Sequence, residues 1–528
     1  MPPADPSLLE TLIQGLRWPL TGLYAVILFT LCLFGLHRYW MVTLFRRHRR
    51  DEAQPAARFE EDQLPRVTVQ LPMYNEGPVA ERVIDAACGL DYPADRLQVQ
   101  VLDDSTDGTQ GDTLRRVEHW RQLGIDIEHR HRTDRTGYKA GALAEATPHA
   151  TGELIAVFDA DFVPPAEFLR QTVHHFTDDN LGMVQARWEH LNRDDSLLTR
   201  GQAMFLDAHF IIEHLARNRS GAWMHFNGTA GVWRKTCIEA AGGWQHDTLT
   251  EDMDLSYRAQ LAGWDFRFLP DVVCPAELPP EVNAFKSQQH RWTKGSIQVA
   301  MKLLPTLFRA KLPWRVKLEA AAHTLCPAAY VAVVLFTVLC YPAVYLNLRW
   351  TEDGSLWGLL IGLLLLSLGT ISAAVFYVTS QRALGRSGFW AMVQVPMLMS
   401  IAIGIALNNA LAVLEALFRH ESAFIRTPKY AAGASRGRGR AKIQSIPSLK
   451  KWIVAAELGL GLLMVEAARL SLHHSTTMVT LPFLLLFASG YLYVGGTSLL
   501  TYVHGWLDQR KSDDHALPIN GPTEARPV

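Results

Sequence analysis

The residues richest in chemical possibility are acids set close together after apolar runs. Asp159 and Asp161 follow Leu154–Phe158, and residues i and i+2 at a strand end face the same side. Two carboxylates placed this way repel unless a hard divalent cation joins them, and such an ion keeps positions open for phosphate oxygens. The implied chemistry is Mg2+ or Mn2+ carrying a diphosphate and stabilising it as a leaving group; a D-x-D standing alone would equally be a solvated turn. Asp103-Asp104 closes the run Leu97–Leu102. Acids there either accept hydrogen bonds from a nucleobase or ribose, or cap the turn before Ser105. Lys139, in Tyr138-Lys139-Ala140-Gly141, opens a helix-forming stretch, and an ammonium with a helix N-terminus behind it suits phosphate.

Two clusters follow downstream. Thr250-Glu251-Asp252 precedes the helical stretch Leu255–Leu261. Thr250 and Asp252 can cap that helix; alternatively, a carboxylate facing a sugar pocket is the general base that inverting transfer needs, taking the proton of the attacking hydroxyl. Gln288-Gln289-His290-Arg291-Trp292 offers an arginine to brace a diphosphate and a tryptophan face to stack on a pyranose. The same residues also suit an aromatic and basic anchor at a membrane interface.

These side chains need a scaffold that gathers strand ends. Val67–Leu71, Leu97–Leu102, Ile125–Glu128 and Leu154–Phe158 are short β-prone runs separated by helix-length segments or turns. The pattern predicts a parallel, doubly wound α/β sheet, whose ligands sit at the carboxyl ends of strands. Pro72-Met73-Tyr74-Asn75-Glu76 then joins the two acidic clusters at one edge. The sequence has no GxxxxGK[ST] and no GxGxxG, which argues against a P-loop or a dinucleotide site.

Over the whole chain, 528 residues with a formal net charge of −1 leave no broad basic face for nucleic acid. The six cysteines have no ligand-like spacing, so neither a zinc site nor a disulfide framework is expected. Leu20–Leu36, Leu356–Ser380 and Met478–Leu507 contain no Asp, Glu, Lys or Arg. About 20 apolar residues cross a bilayer, so a wholly soluble protein is excluded. The first apolar stretch lacks the flanks of a cleavable signal peptide and is expected to be a retained anchor. Arg46-Arg47-His48-Arg49-Arg50 puts its C-terminal end in the cytoplasm. Further apolar segments are Leu325–Tyr345, Ala391–Phe418 and Trp452–Leu470. Residues 418–451 hold nine Lys/Arg against one acid, Glu421; keeping them cytoplasmic requires Ala391–Phe418, with Gln394, Pro396, Asn408 and Asn409, to be an interfacial or re-entrant helix. The expected organisation is an anchor over 1–50, a linker over 51–65, a cytosolic domain over 66–300 and an interfacial helix over 301–320. A membrane region over 321–507 follows, containing the interfacial helix 391–418 and a loop 419–451, then a polar tail over 508–528.

Taken in order, Q-L-P-M-Y-N-E, V-L-D-D-S-T-D, F-D-A-D, F-N-G-T-A-G, T-E-D and Q-Q-H-R-W resemble the motifs of family 2 processive membrane glycosyltransferases. The resemblance is to cellulose synthase and, more nearly, to the cellulose-synthase-like A mannan and glucomannan synthases, over about residues 66–300. Phe424-Ile425-Arg426-Thr427-Pro428-Lys429 is similar to the F-x-x-T-x-K gating loop of cellulose synthases. The resemblance implies a GT-A fold and inverting, Mg2+- or Mn2+-dependent transfer of a hexose from UDP-glucose or GDP-mannose to a β-linked polysaccharide, which is then exported. It assigns Tyr74, Glu76, Asp103, Asp104 and Lys139 to the nucleotide, and Asp159 and Asp161 to the metal. It makes Asp252 the base beside Glu251, and Phe226-Asn227-Gly228-Thr229 an acceptor-side finger. Gln288, Arg291 and Trp292 would hold the diphosphate and the terminal sugar at a channel mouth, with Phe424, Thr427 and Lys429 in the gate.

The expected partners are a nucleotide-sugar donor, a glycan or lipid acceptor and membrane lipids. The catalytic domain is expected to be cytosolic, the short insertion-free form favouring a bacterial inner membrane over a Golgi membrane. The cyclic-di-GMP-binding domain of bacterial cellulose synthase has no counterpart here, so that regulation is not expected. Two other readings are a non-processive glycolipid synthase and a non-catalytic export subunit; the intact Asp159, Asp161, Asp252 and Arg291 argue against the latter.

Overall fold

The computed structural model describes residues 8–352, 356–420, 451–473 and 478–515. Its α/β half is built on seven strands: β1 (Val67–Met73), β2 (Leu97–Asp103), β3 (Asp126–His131), β4 (Leu154–Val157), β5 (Leu181–His190), β6 (Gly231–Arg234) and β7 (Asp265–Ala276). They lie in the order β3-β2-β1-β4-β6-β5-β7. The four runs read from the sequence pair in parallel, β1 with β2 and β4, and β2 with β3, as β5 does with β7. The expectation of a wholly parallel sheet is corrected by β6, which runs antiparallel to both β4 and β5. A four-residue strand reached from a sharp loop needs no crossover helix, so it can enter in the opposite sense.

The chain winds outward from β1 to β2 and β3, then returns to place β4 on the other side of β1. The crevice at that reversal is where an open α/β sheet binds its ligand. β1 and β2 are buried along their whole length, yet they carry polar residues at alternate positions. These residues pair with one another: Thr68 Oγ1 donates to Gln98 Oε1 (2.8 Å), Gln70 Nε2 to Gln100 Oε1 (2.9 Å), and Gln100 Nε2 to Glu128 Oε1 (2.9 Å). Each bond joins partners in register, so a one-residue slip would strand the whole ladder.

Three described helical segments are long and apolar enough to cross a bilayer: Gly22–His48, Trp314–Tyr345 and Leu481–His504. Gly388–Gly404 and Ala406–Leu417, which cover the segment Ala391–Phe418, form a pair bent by 43°, the geometry of either a broken span or a re-entrant segment. Asn408 and Asn409 are buried, and Asn408 Nδ2 donates to the Lys286 carbonyl (3.0 Å), so the polar residues of this segment face protein rather than lipid. Small residues set close crossings. A Cβ on Gly35 would lie 2.9 Å from the Gly369 Cα, and one on Gly404 would lie 2.4 Å from the Gly490 carbonyl.

The two halves share packing. Met41, Val42 and Phe45, at the end of the first helix, belong to the same buried cluster as Leu102, Ile155 and Phe226. The boundary expected at 300/301 falls inside one helix, Val282–Arg309, and a second helix, Trp314–Leu325, follows it. Val282–Arg309 packs along Ala406–Leu417. Its Lys286 is fully buried with Glu457 of the helix Lys451–Ser471 (Nζ to Oε1 2.6 Å). Removing one member of a buried pair leaves an uncompensated charge, so Lys286→Met should cost about 3–5 kcal/mol. Thermal unfolding in detergent should show that loss, and Lys286→Met combined with Glu457→Leu should recover most of it.

Candidate active site

A cleft of about 250 Å³ opens at the carboxyl edges of β1, β2 and β4. Tyr74, Glu76, Asp104, Lys139, Asp159 and Asp161 line it together with Glu251, Asp252, Gln288, Arg291 and Trp292. The motifs scattered over more than two hundred residues therefore meet at one place.

Lys139 stands at the centre. The turn before it needs left-handed backbone at Gly137 (φ 75°) and Tyr138 (φ 50°), which starts the helix Tyr138–Ala146 abruptly beneath the cleft. Lys139 Nζ donates to Asp159 Oδ1 (2.6 Å) and to the Gly228 carbonyl (2.8 Å). Burial alone would lower the lysine pKa, but Asp159, Glu251 and Asp252 around it hold it above its ordinary value. It remains an ammonium.

Asp159 and Asp161 follow β4. Asp159 is half-buried and Asp161 buried. The backbone N–H of Asp159 donates to Thr229 Oγ1 (2.9 Å), and Arg82, paired with Glu277 (2.6 Å), also reaches the Asp161 carbonyl (3.4 Å). Both turn residues are thus held through their backbone, and both line the cleft. Two carboxylates of this kind are hard oxygen donors that fit Mg2+ or Mn2+.

Asp252 sits in the first turn of the helix Glu251–Leu261, which begins four residues earlier than the sequence suggested. Thr250 makes no side-chain cap bond; the Met253 N–H donates to Asp252 Oδ1 instead (2.8 Å). Burial and the adjacent Glu251 charge push the Asp252 carboxyl up to about 7, against the pull of Lys139. A carboxylate poised near neutrality is suited to proton transfer. The helix bearing Arg291 and Trp292 reaches this turn through Gly295, where a Cβ would lie 2.5 Å from Thr250 Cγ2.

Three expected site residues do not line the cleft. The Asp103 carboxylate turns inward and takes hydrogen bonds from the Ser105 N–H (2.8 Å), Thr113 Oγ1 (2.9 Å) and His129 Nε2 (2.9 Å). Burial would raise its pKa, yet these bonds lower it to about 2. Asp103 therefore shapes the strand end, and Asp104 alone of the pair faces the cleft. Phe226 packs edge-on against Trp233 (5.5 Å), and Thr229 is buried beneath Asp159; of that loop, Asn227 and Gly228 face the cleft. Phe424, Thr427 and Lys429 lie outside the described residues.

Two arginines escaped the sequence reading. Arg132 clamps Asp104 with both arms of its guanidinium (2.8 and 2.6 Å). Arg135 lies 3.3 Å from the Tyr74 ring centroid, a cation–π contact that fixes the ring at the cleft mouth. The available signal was the basic series Arg130, Arg132 and Arg135, which starts at the end of β3 and leads into Lys139.

Residues 65–295 match the family model described as "Glycosyltransferase like family 2". This segment is a family 2 glycosyltransferase domain. Over 252 residues the chain is 46% identical to glucomannan 4-beta-mannosyltransferase 1 of Oryza sativa subsp. japonica, covering 47% of this chain and 48% of the rice protein. It is 45% identical to glucomannan 4-beta-mannosyltransferase 2 of Arabidopsis thaliana, again over 252 residues, with 47% of each chain covered. The chain spans about half the length of the curated relatives it matches. Among solved structures, a mannosyltransferase from Pyrobaculum calidifontis in complex with GDP-Man and Mn2+ aligns with a TM-score of 0.51 at 23% identity, covering 76% of this chain and all of that one. The glycosyltransferase domain has the GT-A fold.

Gly228 gives this geometry a direct test. Its φ is +83°, and a Cβ there would lie 3.0 Å from Asp252 Oδ2 and 3.5 Å from Lys139 Nζ. Left-handed backbone costs an L-residue about 1–2 kcal/mol, so Gly228→Ala should lower unfolding stability by that amount. The intruding methyl should also displace the carboxylate, making the loss of transferase activity much larger than the loss of stability.

Proposed function

We propose that this chain is an inverting hexosyltransferase that takes a hexose from a nucleotide sugar, GDP-mannose or UDP-glucose, and adds it to a β-linked mannan, glucomannan or glucan. The observation that carries the proposal is the Asp252 carboxyl, pushed up to about 7, in the same cleft as Lys139, Asp159 and Asp161. The plant relatives are named as glucomannan 4-beta-mannosyltransferases, which favours mannose.

In this reading the Asp252 carboxylate takes the proton of the acceptor hydroxyl. The acceptor oxygen forms its bond to the anomeric carbon as the bond from that carbon to the diphosphate breaks, and the configuration inverts. Asp159 and Asp161 would hold Mg2+ or Mn2+, which supplies charge stabilisation to the departing diphosphate. Arg291 braces the same phosphates. Trp292 offers its face to the terminal sugar, and Tyr74, Glu76 and Asp104 border the nucleotide. The helix carrying Arg291 and Trp292 continues along Ala406–Leu417, which supports handing a growing polymer to the membrane helices for export, with the catalytic domain on the cytosolic side.

Incubating the detergent-purified protein with Mg2+ or Mn2+ and each donor separately tests the function. High-molecular-weight product cut by a β-mannanase or β-glucanase is expected. A lipid-extractable product of one or two sugars would instead indicate glycolipid synthesis.

Asp252→Asn should abolish transfer while leaving calorimetric donor binding nearly intact; equal loss of both would contradict the base assignment. The base is the ionised form, so kcat/KM should fall as pH drops through about 7. Lys139 pulls the Asp252 pKa downward, so in Lys139→Met the residual activity should show its acidic limb at higher pH. Asp161→Ala should remove metal-dependent donor binding, and undiminished wild-type turnover in chelator would rule out the metal assignment.

A further inference from the structure

Behind the cleft lies a group of histidines that the reaction above does not use. The helical segments Leu197–Ala208 and Leu215–Ser220 are joined by a wide turn, His209–His214, with π-helical hydrogen bonding. Such turns recur at functional sites because the extra residue redirects side chains. Here His209 and His214 face His225, which arrives from the loop ahead of Asn227; the ring centroids are 4.5 Å apart for His209 and His214 and 5.1 Å for His214 and His225.

One ring nitrogen from each histidine lies within 4.8 Å of the others, a grouping that by residue type suits a transition metal. The space between them, however, holds the Asn227 carboxamide. Its Oδ1 lies 2.5 Å from His214 Nε2, and its Nδ2 lies 3.0 Å from His209 Nε2 and 3.3 Å from His225 Nε2. With all three rings neutral, donor and acceptor chemistry permits one arrangement. Ionised Glu213 can only accept, so His209 Nδ1, 3.0 Å from Glu213 Oε2, carries the proton and His209 Nε2 is an acceptor. The amide N–H2 must then face His209 and His225, and Oδ1 must receive the His214 Nε2 proton. Burial holds His214 and His225 well below the ordinary imidazole pKa, which keeps both neutral, as this pattern requires.

We propose that His209, His214 and His225 form a three-sided clamp that fixes the Asn227 carboxamide, and so position the adjoining Gly228 against Lys139 and Asp252. They are positioning residues, and their effect on turnover rests on the reaction proposed above. The clamp continues outward: Glu213 accepts from Arg217 (3.3 Å), Arg217 donates to Glu319 (2.9 Å), and Glu319 meets His37 of the first helix (3.0 Å). The loop beside the base is thereby joined by hydrogen bonds to the first membrane-spanning helix.

Paired substitutions separate clamping from packing. His214→Gln keeps an N–H donor near the Nε2 position but loses the ring. His214→Phe keeps the ring, which stacks between Phe210 and Phe268 at 5.4 and 5.5 Å, but loses the donor. Leaving the Asn227 oxygen unpaired should lower kcat about tenfold or more in His214→Phe, with donor KM within about twofold, whereas His214→Gln should stay within about threefold of wild type. An active Phe variant beside an inactive Gln variant would assign the residue to packing and overturn the clamp.

Two readouts on the wild-type protein need no turnover. Nitrogen-15 imidazole shifts should give His209 as the Nδ1–H tautomer and His214 as the Nε2–H tautomer; the same tautomer at both would refute the clamp even if no sugar donor is consumed. Metal analysis should find no zinc that depends on these residues. Stoichiometric zinc lost in His209→Ala would replace the clamp with a metal site.

Discussion

The structure depends on one ammonium held among acids. Lys139 meets the carboxylate after β4, the carbonyl of Gly228 and the field of Glu251 and Asp252. Unit charges about 4 Å apart near a protein surface interact by about 4 kcal/mol. Without a cation at this point, the acids that line the cleft could not remain ionised together. Their placement therefore depends on the left-handed turn at Gly137 and Tyr138, which starts a helix just below them. The same lysine lets Asp252 be raised to about neutrality rather than far beyond it.

The rest of the fold serves to bring three loops to that lysine. The switch between β1 and β4 supplies the Tyr74 and Asp159 ends, and antiparallel β6 supplies the third. Because β6 pairs with β4 from the opposite direction, the loop leading into it returns to the carboxyl end of β4. Thr229 then supports the Asp159 backbone, and the Ala230 N–H donates to the Val157 carbonyl (2.9 Å). Left-handed backbone at Gly228 and Ala230 makes the loop tight enough to place a carbonyl against Lys139. Phe226 and Thr229, expected beside the acceptor, act as the buried footing of that loop.

Legibility in the sequence followed physical scale. β1, β2 and β4 were readable because they are short apolar runs ending in chemistry-bearing residues, and the acids at their ends marked the cleft; β3, mostly polar, showed only through its apolar start at Ile125 and Ile127. β6 was not, since Gly231–Arg234 is four residues long and has no period to detect. β7 carries Pro270 and charged residues along its edge, which conceal a strand that pairs through irregular register. Asp103 and Asp104 are equivalent in sequence, and the position of a strand's last pleat decides which one faces the crevice. The partners Arg132, Arg135 and the histidines around Asn227 are defined by contacts across the fold, as is the pairing of Lys286 with Glu457. The amides and proline of Ala391–Phe418 marked it as a poor lipid-exposed span, because unpaired polar groups are too costly to face lipid, but they did not reveal the bend at Ile405.

In the proposed single displacement, Asp252 deprotonates the acceptor on the face opposite the leaving diphosphate. The most direct measurement is the anomeric configuration of the first glycosidic bond, read by NMR on product made from an α-linked nucleotide hexose under short reaction times. Single displacement requires a β-linkage with no glycosyl-enzyme intermediate trapped by quenching. An α-linked product, or a covalent sugar adduct on the protein, would contradict it.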